Sequence, residues 1–250
     1  VTNMTESFLK ELDLGLCSLQ LELTNEQKEL LYGYYRMVIE KNKVMNLTAI
    51  TEEADFVKKH IIDSLAIIKA GSDMENKLGT QGIKLIDVGT GAGMPGLILK
   101  IAFPGADIIL FDSLKKRLTF LDEVIEQLGL KSVGTLHGRA EDIGQDSKYR
   151  EKFDIAVSRA VAQMNVLSEY VLPLVKLGGI FAAYKSGDYE DELDNARRAV
   201  KLLGGGKTEC TDFELPGTDM KRSIILINKK KASPAKYPRK AGTPSKEPII

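Results

Sequence analysis

The chain has 250 residues, 43% hydrophobic and 28% charged, a globular composition that excludes a disordered or fibrous protein and suits one large domain or a domain with an appendage. No apolar run approaches the roughly 18 to 20 residues of a membrane span, no basic-then-apolar start resembles a signal peptide, and two cysteines (Cys17, Cys210) with two histidines (His60, His137) exclude a disulfide framework, a structural zinc site or any centre needing several imidazoles. The formal charge of zero hides a split, because residues 221–250 carry nine Lys or Arg against one acid, Glu247, leaving 26 basic and 34 acidic residues in the first 220. The expectation is a cytoplasmic protein with no metal and no membrane contact, whose basic end suits a polyanionic partner.

Taken in order, residues 1–70 read as a helical extension packed on the rest. Thr24-Asn25-Glu26-Gln27 fits a capping box, and Leu30, Leu31, Tyr34, Tyr35, Val38 and Ile39 then recur at helical spacing. Residues 42–48 form a polar link with two Asn suited to turns. A second helix is predicted after Thr51, with Val57, Ile61, Leu65 and Ile68 on one face. From residue 83 the rhythm changes to strands at 84–88, 107–111, 133–137, 153–157 and 180–184, alternating with helices at 96–103, 115–128 and 163–175. A charged helix at 188–203 and two strands at 207–215 and 222–227 follow. This alternation predicts a doubly wound α/β fold over residues 71–228, mainly parallel, with an antiparallel C-terminal strand. Residues 229–250 hold four of the eight prolines and are expected to form a basic tail without regular structure.

Chemistry concentrates at Asp87-Val88-Gly89-Thr90-Gly91-Ala92-Gly93-Met94-Pro95-Gly96, where glycines directly after a strand let the backbone approach a ligand. Asp112 ends the next strand, 21 residues after Gly91, where a doubly wound sheet places the carboxylate that grips a ribose diol. Gly91, Gly93 and Gly96 formally match a dinucleotide fingerprint, so an NAD-dependent oxidoreductase must be weighed. That frame begins two residues beyond the strand, sets Pro95 where amide donors are wanted, and leaves Asp87 to repel phosphates. S-adenosylmethionine carries no phosphate and two cationic groups, and it suits the acid beside the glycines.

These residues resemble a known family. The glycine block, Asp112-Ser113-Leu114, Gly138-Arg139-Ala140-Glu141 and Ser158-Arg159-Ala160-Val161 are similar to signature blocks of the ribosomal RNA small subunit methyltransferase G family, also called glucose-inhibited division protein B. Asn42-Lys43, Asn46-Leu47-Thr48, His60 with Asp63-Ser64-Leu65, and the tail from Tyr237 to Pro244 extend the likeness. Departures are Met94 in place of an aromatic, Ile98 in place of proline, and an extra residue in Lys185-Ser186-Gly187. The resemblance implies a Rossmann-like methyltransferase fold and transfer from S-adenosylmethionine to N7 of one guanine in the decoding region of 16S ribosomal RNA, with S-adenosylhomocysteine as product. It implies donor contacts at Gly89, Met94, Asp112, Ser113, Leu114, Ala140, Glu141 and Arg159, with Arg159 also a candidate for positioning the reacting groups. The partner is then 16S ribosomal RNA or the small subunit, and the expected state is a monomer. A methyltransferase of another RNA site and a non-catalytic adenosyl-ligand-binding regulator of ribosome assembly or division are the alternative readings.

The residues after the fourth strand also limit the chemistry. Asp154-Ile155-Ala156-Val157-Ser158-Arg159-Ala160 lacks the Asn/Asp-Pro-Pro-aromatic pattern of amine methylation and has no cysteine for covalent attack on a pyrimidine. Guanine N7 has a free in-plane lone pair and needs alignment rather than a base.

Overall fold

Side-chain caps set the helix starts of the N-terminal region. In the computed structural model, which describes residues 4–71 and 73–250, the Thr5 hydroxyl accepts from the Phe8 amide at 3.1 Å and opens α1 (Glu6–Leu19). Positions 1–3 of the expected N-terminal extension and position 72 of the expected central region lie outside the described residues. The predicted capping box opens α2 (Asn25–Asn42). The Gln27 amide donates to Thr24 Oγ1 at 3.2 Å, and the Thr24 amide donates to Gln27 Oε1 at 2.8 Å. The Gln27 side-chain amide also donates to the carbonyls of Ile101 and Ala102, both at 2.9 Å, tying α2 to the far end of a later helix. Asn42 closes the polar link by accepting from the Leu47 and Thr48 amides at 2.6 and 3.0 Å.

The helix expected after Thr51 is not uniform. It begins as α3 (Glu53–Phe56), widens into a π-helical segment (Val57–Ile62), passes through α4 (Asp63–Leu65) and ends in a 3-10 turn (Ala66–Lys69). Val57, Ile61 and Leu65 are buried as their spacing demands, but the wider turn also buries Ile62 and leaves Ile68 half-buried. It delivers Asp63 to the interior, only 5% exposed. After α5 (Met74–Gly79) the chain enters the sheet.

Strands β1 (Lys84–Val88), β2 (Asp107–Asp112), β3 (Val133–His137), β4 (Phe153–Arg159), β5 (Val175–Ser186), β6 (Gly205–Glu214) and β7 (Lys221–Lys229) form one sheet in the order 3-2-1-4-5-7-6. The first five are parallel, and β7 runs antiparallel to both β5 and β6. Helices α6 (Gly96–Ala102), α7 (Lys115–Gln127), α8 (Ala140–Ile143), α9 (Met164–Val171) and α10 (Glu190–Leu202) connect the strands. Alternation along the strands feeds two cores. Leu85, Leu110, Ile155, Val157, Tyr184 and Leu226 join one core with Phe8, Leu12 and Leu16 of α1. Ile86, Val88, Phe111, Ala156, Phe181 and Ile225 join the other with Leu167 of α9 and Ala199 of α10. Each fully buried apolar side chain contributes about 1.5 to 3 kcal/mol. The N-terminal helices are therefore held as one helical layer of the sheet, because α1 places Phe8, Leu12 and Leu16 in the first core.

The C-terminal segment is irregular apart from α11 (Thr243–Lys246), but it is fixed to the body. Carbonyls that a sheet or helix would have satisfied are taken up by Arg150, whose guanidinium donates to Ser233, Pro234 and Tyr237. Tyr237 is 8% exposed and packs within the second core. Lys229 is fully buried, donating to the Leu172 carbonyl at 2.6 Å and to Ser233 Oγ. Arg239 pairs with Glu169 at 2.8 Å. Three of the nine basic residues in this region, Arg222 included, are thus committed inside the protein.

Candidate active site

Strand order reverses between β1 and β4, and the crevice at their carboxyl ends is where an open α/β sheet binds ligands. The glycine turn leaves β1 there. The amides of Gly89 and Thr90 both donate to the Phe111 carbonyl at 2.9 Å, and the buried Tyr34 hydroxyl of α2 donates to the Ala92 carbonyl at 2.7 Å. Gly89 has φ 76°, and a Cβ there would stand 2.4 Å from Val161 Cγ2, so only glycine lets Val161 pack this close to the turn. Asp112 closes β2 with its carboxylate held by backbone: Oδ2 accepts from the Gly91 amide at 2.9 Å and Oδ1 from the Leu114 amide at 2.8 Å. Asp87 is fully buried, its Oδ2 accepting from Thr90 Oγ1 at 2.7 Å and the Gly96 amide at 2.8 Å, while Oδ1 has no partner. Burial pushes its carboxyl up to about 6, against the pull of those two hydrogen bonds.

Around this turn lies a cleft of about 430 Å³ lined by Gly89, Asp112, Ser113, Ala140, Glu141, Val161 and Tyr170 among others. Five of the eight residues singled out in the sequence therefore share one cleft. Met94 instead lies in the first core, 6% exposed, and Leu114 turns its side chain outward, 52% exposed, contributing only its amide. Arg159 lines an adjoining cleft. Glu141, 8% exposed, accepts from the Gly242 amide at 2.9 Å, so the C-terminal segment reaches the first cleft.

The adjoining cleft, about 550 Å³, meets the first at Ala160, which lines both. Lys59, His60, Asp63, Arg159, Lys185, Glu192 and Arg222 line it. Asp63 Oδ2 accepts from Arg159 at 3.2 Å and its Oδ1 from Arg222 at 3.1 Å, so one buried carboxylate orients two guanidinium groups. His60 is pushed down to about 4 by burial and then by the Arg159 charge, and its Nε2 meets Thr48 Oγ1 at 2.8 Å. Asp63, Lys185, Glu192 and Tyr34 have no role legible in the sequence. Asp63 lay in a block that carried the resemblance, yet its partners are 96 and 159 positions away. Among the described residues no group of three His, Cys, Asp or Glu is placed to hold a metal ion, and no helix is long and apolar enough to cross a membrane.

The glycine turn at the switch point, the acid closing the next strand and the antiparallel seventh strand together define the fold of the S-adenosylmethionine-dependent methyltransferases. Among solved structures, the carbon methyltransferase CurJ superposes with a TM-score of 0.54 at 14% identity over 90% of this chain and 67% of that one. The [4+2]-cyclase SpnF superposes with a TM-score of 0.52 at 17% identity over 68% of this chain and 81% of that one. A methyltransferase and a cyclase share this architecture, so these likenesses speak for the fold alone. The family profile described as rRNA small subunit methyltransferase G (GidB) matches residues 27–224. Proteins named Ribosomal RNA small subunit methyltransferase G are 50% identical in Alkaliphilus oremlandii, over 98% of both chains, and 49% identical in Lachnoclostridium phytofermentans, over 94% of this chain and 95% of that one. This chain belongs to the rRNA small subunit methyltransferase G family.

Proposed function

We propose that this chain, acting as a monomer in the cytoplasm, methylates N7 of a specific guanine in 16S ribosomal RNA, with S-adenosylmethionine in the first cleft and the guanine in the second. The observation that carries this reading is the meeting of the two clefts at Ala160, one built on the glycine turn and Asp112, the other rich in cations.

The residues of the first cleft fit the donor. Gly89 lines the cleft with bare backbone, and Asp87, buried beneath the glycine turn with its Oδ1 unpartnered, favours a cationic ligand over a phosphate. Bound there, S-adenosylmethionine supplies a methyl group activated by its sulfonium charge and leaves as S-adenosylhomocysteine. Asp112, pinned by two amides, presents its remaining lone pairs to the ribose diol, a charge-assisted contact. Ser113, Ala140 and Glu141 border the adenine side, and Gly89 lets the backbone approach. Arg159 acts from the second cleft as a positioning group, while Met94 and Leu114 act through packing and through the Leu114 amide.

Guanine N7 carries no proton, so the chain has to align the base rather than deprotonate it. His60, held neutral near pH 7, adds no charge beside Arg159. N7 lies on an edge that a regular RNA duplex hides in its deep groove, so the target is presented from an irregular or opened segment. Exposed Lys115, Lys116 and Arg139 lie beside Asp112 and Glu141 in sequence, and Lys221, Lys230, Lys231, Lys236, Lys240 and Lys246 remain exposed at the C-terminal end. These exposed cations supply charge for phosphate contacts, with affinity that falls as salt rises. Radiolabelled methyl transfer into small-subunit rRNA tests the reading. Label is expected in the RNA, and a protein that binds the donor but transfers none of it is a binding module.

A further inference from the structure

Within the second cleft, half of the Glu192 carboxylate is fixed and half is free. Glu192 lies in the first turn of α10, and its Oε1 accepts from the Met164 amide at the start of α9 and from Lys185 Nζ. Lys185 is fixed in turn by the Ala162 carbonyl at 2.9 Å. Among the described residues no hydrogen bond reaches Glu192 Oε2, and its side chain stays 22% exposed along the cleft. An ordinary surface ion pair has both partners mobile in water. This one has a backbone anchor, and Lys185 is only 13% exposed, so the free oxygen holds a set position.

Resting on the guanine-N7 reading above, we infer that Glu192 reads the Watson–Crick edge of the target guanine, its Oε2 accepting from N1–H and the 2-amino group. Guanine alone among RNA bases presents two adjacent donors on that edge, whereas adenine presents an acceptor at N1. N7 lies on a different edge, so a base held this way leaves its lone pair free. The same contact discriminates between ground and transition states. The N7 lone pair forms the bond to the methyl carbon as the carbon–sulfur bond breaks, and the bonding pair stays on sulfur. Positive charge passes from the sulfonium to the purine ring, and no proton leaves. As the ring becomes cationic N1–H grows more acidic, and its hydrogen bond to a carboxylate strengthens. A contact stronger in the transition state raises kcat more than it lowers KM.

The test uses the full chain, Glu192→Gln, and small-subunit rRNA carrying guanine or inosine at the target position, inosine lacking the 2-amino group. The amide oxygen of Gln keeps the Met164 and Lys185 bonds, so thermal melting and donor affinity by calorimetry are expected to match the parent to within about twofold in Kd. On guanine, kcat is expected to fall roughly 30-fold with KM changed less than about threefold, and the parent's preference for guanine over inosine, about tenfold, is expected to shrink toward one in E192Q. An unchanged kcat and an unchanged guanine preference overturn the inference, as does a loss that arrives only with weakened donor binding or lowered melting. If the parent places its methyl at an atom other than guanine N7, the underlying reading fails first and this inference falls with it.

Discussion

Replacing Arg239 by alanine asks whether the C-terminal segment belongs to the folded body. Arg239 Nε donates to Glu169 Oε1 at 3.0 Å, its terminal nitrogen donates to Oε2 at 2.8 Å, and its backbone amide adds a 2.8 Å bond to Oε1. Glu169 is 1% exposed, so the substitution leaves a carboxylate in the interior without its counter-ion. Removing one partner of a buried pair costs about 3 to 5 kcal/mol. The surviving amide bond and the 26% exposure of the arginine side chain set the expectation at the low end, about 3 kcal/mol. For a chain of this size that lowers the melting temperature by roughly 6 to 12 °C. The loss is expected to reach the first cleft, because Tyr170 lines it and the segment donates to Glu141 through Gly242. Thermal melting and calorimetric titration with S-adenosylmethionine read both effects. Adding Glu169→Gln to Arg239→Ala should recover stability, since it removes the stranded charge. Melting within about 1 °C of the parent, with unchanged donor affinity, refutes the account of this segment as part of the body.

Other outcomes follow from the same geometry. Asp112→Ala leaves the Gly91 and Leu114 amides without their acceptor and should weaken donor binding by about 1.5 to 3 kcal/mol while the protein stays folded. Unchanged affinity in a folded variant removes Asp112 from ribose binding. His60 sits near 4 in the fold against 6.5 when exposed, so its contribution, at most about 3 kcal/mol, is full above pH 6.5 and is lost as pH falls toward 4. Asp87 works the other way, its carboxyl raised from 3.8 to about 6, so its contribution is full below pH 3.8 and is lost as pH rises through 6. His60→Gln should therefore abolish the loss of stability between pH 6.5 and 4 while keeping the opposing slope, and denaturant titrations that show the parent's acid limb unchanged contradict this.

What the sequence revealed was local. The capping box at Thr24 and Gln27 involves residues three apart, and the glycine turn with Asp112 spans a single strand–helix–strand unit, so composition and spacing carried both. Alternation of apolar residues gave the sheet because each strand must face two cores. The second cleft was illegible for the opposite reason. Asp63 reaches Arg159 and Arg222 only because a π-helical turn and two distant strands converge, and no periodicity records such a meeting. Prolines and lysines mark the C-terminal segment as basic and irregular, but they carry no sign of Arg150 and Glu169, the partners from the body that fix it. For Met94 the sequence offered a site position but not its packing, since its side chain, 6% exposed, lies in the first core.

The most direct test is to locate the transferred methyl group. Small-subunit rRNA lacking the modification is incubated with the protein and S-adenosylmethionine, then digested, mapped by mass spectrometry and checked by strand cleavage at 7-methylguanine. One methyl on N7 of a single guanine is expected. A methyl on an exocyclic amine, on N1 or on another base, or RNA left unmethylated by a protein that binds the donor, contradicts that expectation.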